Sequence, residues 1–195
     1  LVAAVERDRI EATIAALEGE RATPEQRTAT AAWIEAELAS YGYAVTRQPY
    51  TSFADHSGLN VYATLVGTER PDEVVVIGAH YDTVPGSPGA DDDASGIAGT
   101  LEIARVLAAS PQPATIEFVA FDDEENEYLG SEEYVFRFRA AQRTVLAMAA
   151  LEMIGTRCNE PHCQFPIGNI KNCFQVSTLG VNVGDFIGVI GTTRS

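Results

Sequence analysis

The stretch that decides the fold runs Val74-Val75-Val76-Ile77-Gly78-Ala79-His80-Tyr81-Asp82, four branched apolar residues in a row that give way to a histidine and an aspartate. A continuous apolar run of this length, with Pro71-Asp72 before it and a Gly- and Pro-bearing loop after it, reads as a strand over residues 74–79 buried on both faces. The same pattern recurs twice downstream. Residues 115–121 read as a second buried strand that runs into Asp122-Asp123-Glu124-Glu125, and residues 144–152 read as a third that closes on Glu152. Between them, a long loop over residues 80–93 leads into a helix over residues 94–109, with Ile97, Leu101, Ala104 and Leu107 along one side, and a second helix spans residues 131–142. Upstream, apolar residues recur at helical spacing over residues 2–17 and 25–38, with Pro24 in first-turn position and Gly42 as a stop. Residues 43–50 and 59–66 read as strands. Beyond Gly155 the pattern loosens, and only residues 186–190 read as a further strand. This order predicts an α/β fold, a three-layer sandwich with a mixed, mainly parallel central sheet and helices on both faces.

Composition bounds the rest. A chain of 195 residues with 46% hydrophobic content builds one core unaided, which predicts a single domain over residues 1–195. A formal net charge of -15, from 28 acidic and 13 basic residues, repels nucleic acid and anionic membrane, and no apolar run approaches the roughly 20 residues of a membrane span. A cationic substrate terminus or a bound metal fits this balance better. Cys158, Cys163 and Cys173 crowd one short stretch, which reads as one disulfide and one free thiol in an exported form, or as a metal cluster. Secreted, periplasmic and cytosolic forms are all compatible with the composition, the first two being favoured.

Each polar cluster follows a predicted strand. In open α/β sheets ligands bind outside the carboxyl ends of the strands, so His80 with Asp82, the Asp122–Glu125 run and Glu152 should converge on one crevice, and Asp91-Asp92-Asp93 should reach the same rim. Taken singly, each has an ordinary explanation: a helix cap for the aspartate triplet, a solvated loop for the acidic run, a local hydrogen bond for the histidine. Taken jointly, a histidine amid carboxylates is a ligand set suited to Zn²⁺, and such carboxylates would repel one another without a cation. Asp82 points to the same side of an extended segment as His80 and can take its other ring N–H. Of the adjacent pair Glu124-Glu125, one can bind metal while the other acts as general base.

These residues resemble the di-zinc aminopeptidases of peptidase clan MH, whose relatives include glutamate carboxypeptidase and glutaminyl cyclase. Gly78 through Val84, followed by Pro88-Gly89-Ala90-Asp91-Asp92-Asp93-Ala94-Ser95-Gly96, is similar to that family's His-x-Asp and Asn-Asp-Asn/Asp-x-Ser-Gly motifs. Glu124-Glu125 with Leu129-Gly130-Ser131 resembles its Glu-Glu-x-Gly-Leu-x-Gly-Ser. The resemblance implies hydrolysis of N-terminal residues from peptides with two Zn²⁺ per complete site. By the same likeness, His80 and Glu152 would bind the first zinc, Asp92 would bridge both, and Glu125 would bind the second. Asp82 would orient His80, Glu124 would be the general base, and the Asp92–Asp93 peptide would be cis.

Two departures stand out. Glu152 occupies a position where the family member compared has Asp, in Asp-Met-x-Gly. The second zinc's histidine, which the family carries in a Ser-Asp-His segment near its C-terminus, has no counterpart before Ser195, so the sequence is expected to lack a C-terminal segment and to hold one zinc or none. His56 reads as a surface loop residue on the entrance side of the sheet, and His162 is not expected to ligate. A truncated, inactive metal-binding fragment is the first alternative. A carboxypeptidase is the second, although it needs a basic pocket and only Arg157, Lys171 and Arg194 are basic late in the chain.

Overall fold

A computed structural model describes residues 2–52 and 56–156. The cysteines, His162, the three late basic residues and the strand expected over residues 186–190 lie outside the described residues. Five strands form one sheet: β1 (Val45–Thr51), β2 (Ser57–Leu65), β3 (Arg70–His80), β4 (Ala114–Phe121) and β5 (Thr144–Ala150), in the order β1-β2-β4-β3-β5. β3 runs parallel to β4, with His80 opposite Phe121, and parallel to β5 on its other side. β1 and β2 form an antiparallel hairpin, and β2 is antiparallel to β4. The sheet is mixed, as expected, though the described strands make two parallel and two antiparallel pairings rather than a parallel majority. The short connection from β1 to β2 forces a hairpin, whereas helical crossovers allow β3, β4 and β5 to run together.

Four helices cover the sheet. α1 (Arg7–Leu17), α2 (Pro24–Ser40) and α3 (Ala94–Leu107) contribute to one core, in which Ile34, Leu38, Ile97 and Leu101 meet Val61, Ala79, Ile116 and Phe118. On the other face Tyr134 and Phe138 of α4 (Leu129–Ala140) pack on Val74, Val76, Val119 and Phe121. The three-layer sandwich follows from this alternation along β3 and β4. Every residue of β4 is buried, as both faces are covered. Even its Glu117 is enclosed, held by the Tyr134 hydroxyl and Arg143.

The helix starts are set by capping. Thr23 accepts from the Gln26 backbone N–H while the Gln26 side chain accepts from the Thr23 N–H, a reciprocal cap with Pro24 in the first turn of α2. The N-terminal helix is shorter than its periodicity predicts, with a 3-10 turn over Val2–Ala4 and α1 beginning only at Arg7. Tertiary bonds account for this: the Glu6 N–H donates to Glu102 at 2.7 Å, and the Ala4 carbonyl accepts from Arg105 at 2.6 Å. β5 departs further. It ends at Ala150 rather than reaching Glu152, and all seven of its residues are exposed: among the described residues it pairs with β3 alone and no helix covers it. These elements belong to one compact unit, Leu1–Met153, and the described residues of the second unit, 154–156, form an irregular exposed stretch. No helix of the described residues is long and apolar enough to cross a membrane.

Candidate metal centre

His80 is the last residue of β3, and the pairing of β3 with β4 brings it level with the turn that follows Phe121. Its ring is buried at 3% exposure. Nδ1 lies 3.2 Å from Asp82 Oδ1, and the two oxygens of Asp82 also accept the backbone N–H groups of Glu124 at 3.0 Å and Glu125 at 3.1 Å. One buried carboxylate therefore fixes the histidine ring and the adjacent glutamates together. On the other side, His80 Nε2 stands 2.9 Å from Asp92 Oδ1, 3.8 Å from Glu152 Oε2 and 3.9 Å from Glu124 Oε2. Donor atoms of His80, Asp92 and Glu152 lie within 4.8 Å of one another, as do those of His80, Glu124 and Glu125. The structure thus brings all six sequence-predicted residues to one place.

The aspartate triplet divides its work. Asp93 is the N-cap of α3, accepting the Gly96 N–H at 2.9 Å, and the peptide joining it to Asp92 is cis. The same oxygen of Asp93 accepts the Met153 N–H at 3.3 Å, which ties the segment bearing Glu152 to the start of α3. Gly96 lets that segment approach, since a Cβ there would collide with the Leu151 carbonyl and the Asp93 carboxylate. Asp92 is left free of capping duty and faces His80.

The electrostatics show an unmet demand for positive charge. Burial opposes the imidazolium form of His80, but the carboxylates of Asp82, Glu152 and Asp93 outweigh it and raise the ring's pKa to about 11. Burial, reinforced by the Glu152 charge against relief from His80, pushes Asp93 up to about 8. Glu124 and Glu125 are also raised, first by burial and then by neighbouring carboxylates that the His80 charge only partly offsets. Asp82 is lowered, because the His80 hydrogen bond and charge and two backbone N–H groups overcome its burial. Among the described residues no Lys or Arg pairs with Asp92, Glu124, Glu125 or Glu152. One imidazole amid such carboxylates is a donor set that zinc fits, and a divalent cation would supply the missing charge.

A second charged cluster adjoins the first and escaped the sequence reading. Asp122 and Asp123, at 2% and 0% exposure, are held by Arg27 of α2 at 3.2 Å and 2.8 Å respectively. Tyr50 donates to Asp123 at 2.8 Å, and His56 Nε2 lies 2.8 Å from the same carboxylate. His56, in the loop before β2 with its side chain 34% exposed, is accordingly not on the entrance side of the sheet. Because β2 runs antiparallel to β4, its first residues lie at the end where β4 exits, beside Asp123. The available signal was Arg27 itself, which shares the buried stripe of α2 with Ala31, Ile34 and Leu38.

Comparison with known proteins identifies the family and the fold. Residues 60–178 match the profile of Peptidase family M28. A probable zinc metalloprotease of Pyrenophora teres f. teres is 33% identical over 186 residues, covering 80% of this chain and 40% of the relative. The uncharacterized protein YfbL of Escherichia coli is 36% identical over 143 residues, 67% of this chain and 42% of that protein. The chain thus spans about two fifths of the length of these relatives. Among solved structures, LapB from Legionella pneumophila superposes with a TM-score of 0.68 at 30% identity, over 78% of this chain and 44% of that one. An aminopeptidase from Aneurinibacillus sp. strain AM-1 shares the fold, with a TM-score of 0.71 at 18% identity over 82% of this chain and 72% of its own.

Proposed function

The chain belongs to peptidase family M28, and from that premise we propose that it forms the metal-binding part of a zinc aminopeptidase that removes N-terminal residues from peptides. The observation carrying this reading is the surround of His80 Nε2, one imidazole nitrogen facing Asp92, Glu124 and Glu152 with no basic side chain among the described residues to balance them. His80, Asp92 and Glu152 would hold one zinc. Asp92 would be shared with a second ion, for which Glu125 is the further ligand among the described residues. When bound, the ions supply Lewis acidity toward the scissile carbonyl and toward the attacking water.

The chain's own residues divide the remaining work. Glu124 is the general base: its carboxylate, raised by burial and its neighbours, takes a proton from the attacking water and delivers it to the leaving amine. Asp82 keeps the His80 ring and the Glu124–Glu125 backbone in register through three hydrogen bonds. The acidic cleft attracts a substrate ammonium, whereas a carboxypeptidase would need a free cation beside the site. Arg21 and Arg27, the buried guanidiniums near it, are engaged by backbone carbonyls and by Asp122 and Asp123.

The test is hydrolysis of an aminoacyl chromogenic amide together with zinc content, in this chain and in a longer protein containing it. Glu124→Gln should lower kcat by roughly 10²–10⁴-fold with zinc content unchanged. Wild-type kcat in that variant removes the base assignment. A zinc-loaded longer protein without hydrolysis removes the aminopeptidase reading.

A further inference from the structure

Arg21 is a charged residue buried to 3% exposure that forms no ion pair among the described residues. It lies in the segment between α1 and α2, and its guanidinium donates only to backbone carbonyls. Nε reaches Tyr81 O at 2.6 Å, Nη2 reaches Gly89 O at 2.9 Å, and Nη1 reaches Gly19 O at 2.9 Å and the Leu17 carbonyl. The main chain adds two more bonds, Arg21 N–H to Thr83 Oγ1 at 2.9 Å and Thr83 N–H to the Arg21 carbonyl at 3.4 Å.

The placement of two of those carbonyls gives the arrangement its meaning. Tyr81 follows His80 directly. Gly89 lies three residues before Asp92, and its carbonyl also accepts the Ala94 N–H at 3.1 Å, at the first turn of α3. One planar guanidinium thus spans the two ends of the loop that joins the strand residue His80 to the helix-start residue Asp92. Gly89 is shaped to this contact: it has φ +59°, and a Cβ there would stand 2.5 Å from Nη2 of Arg21. Charge-assisted bonds from a rigid fork have the geometry that fixes a distance, which a flexible ammonium cannot reproduce.

We propose that Arg21 is a positioning residue for the metal centre, a strut that sets the separation of His80 from Asp92 across the 81–89 loop. This rests on the zinc reading above. A purely electrostatic role predicts the opposite result. Arg21 lies within the influence of Asp82, Asp93 and Asp92, so its charge alone repels a metal cation, and losing it would tighten binding.

Two variants of the full chain separate these possibilities, with zinc affinity measured by chelator competition, the Co²⁺ visible spectrum recorded, and folding checked by circular dichroism. Arg21→Met removes charge and fork, whereas Arg21→Lys keeps the charge and loses the fork. A strut predicts that both weaken zinc binding, by roughly 10–100-fold for a ligand-supporting residue, and shift the Co²⁺ bands. Arg105→Met, which breaks an ion pair elsewhere, should leave both readouts unchanged. Unaltered affinity and spectrum in Arg21→Lys, or tighter binding in Arg21→Met, overturns the proposal. Should Arg21→Met not fold, Arg21→Lys decides alone. Absence of zinc binding in the wild type instead removes the metal reading on which the strut rests.

Discussion

Two carboxylate clusters stand side by side where β3 and β4 end, and they solve the problem of buried negative charge in different ways. Asp122 and Asp123 have their counter-charge built in: Arg27 reaches both, and Tyr50 and His56 complete Asp123. Asp92, Glu124, Glu125 and Glu152 share one imidazole and face outward, with 30–44% of the side chain exposed in three of them. A closed cluster holds the backbone still, and on the zinc reading proposed above the open one takes its counter-charge from a cation. Adjacency links the two, since Asp123 and Glu124 are consecutive, so the rigid pair anchors the turn that presents the glutamates.

The comparison breaks most sharply at Arg27. Arg27→Met leaves two buried carboxylates facing each other, and the expected loss of folding stability is about 3–5 kcal/mol, the range for removing one partner of a buried pair. Urea denaturation of the metal-free protein measures it. A loss under 1 kcal/mol would mean that the Asp122–Asp123 pair does not depend on its arginine.

The open cluster was legible in the sequence, and the closed one was not. His80, Asp82, Asp92, Glu124, Glu125 and Glu152 could be singled out because each follows an apolar run or belongs to the aspartate triplet at a helix start, signals carried by neighbouring residues. What escaped depends on pairing across distant segments. Insertion of β4 between β2 and β3 and the reversed direction of β2 decide that His56 meets Asp123, and neither is written in the periodicity around residue 56. Arg21 gave no local signal, as its four acceptors are carbonyls, which every residue possesses. The residues of β5 read as buried because they are apolar, yet all seven are exposed, at the edge of the sheet that the described strands form.

A third cluster sharpens the contrast at smaller scale. Glu102 of α3 is closed like the Asp122 pair, taking two bonds from Arg105 at 2.7 Å and 2.8 Å and one from the Glu6 N–H. The Arg105 hydrogen bonds lower its pKa against its burial. A carboxylate with a depressed folded pKa stabilises the fold above its ordinary value of about 4.3, and that contribution is lost as pH falls through the lower folded value. Glu102→Gln should therefore cost about 1.5 kcal/mol at neutral pH, with the gap to wild type closing at acid pH. Thermal denaturation as a function of pH checks it, and a pH-independent gap would assign the loss to packing rather than charge.

The smallest effect carries the opposite sign. Glu125 is raised first by burial and next by the Asp92 charge, with His80 giving partial relief. For a carboxyl raised in this way, the linkage reverses: its contribution is favourable below its ordinary pKa and is lost as pH rises through the folded value. In the metal-free protein at neutral pH, Glu125→Gln removes that repulsion and should stabilise the fold, by only about 0.5 kcal/mol because the group is largely exposed and screened. The same substitution takes away a proposed ligand and should weaken zinc binding. Stability up and metal affinity down in one variant is the signature of an open cluster, since the closed Glu102–Arg105 cluster predicts a loss of stability on neutralisation. A destabilised metal-free Glu125→Gln would mean that this carboxylate already has its counter-charge within the protein, and the distinction between the two clusters would fall.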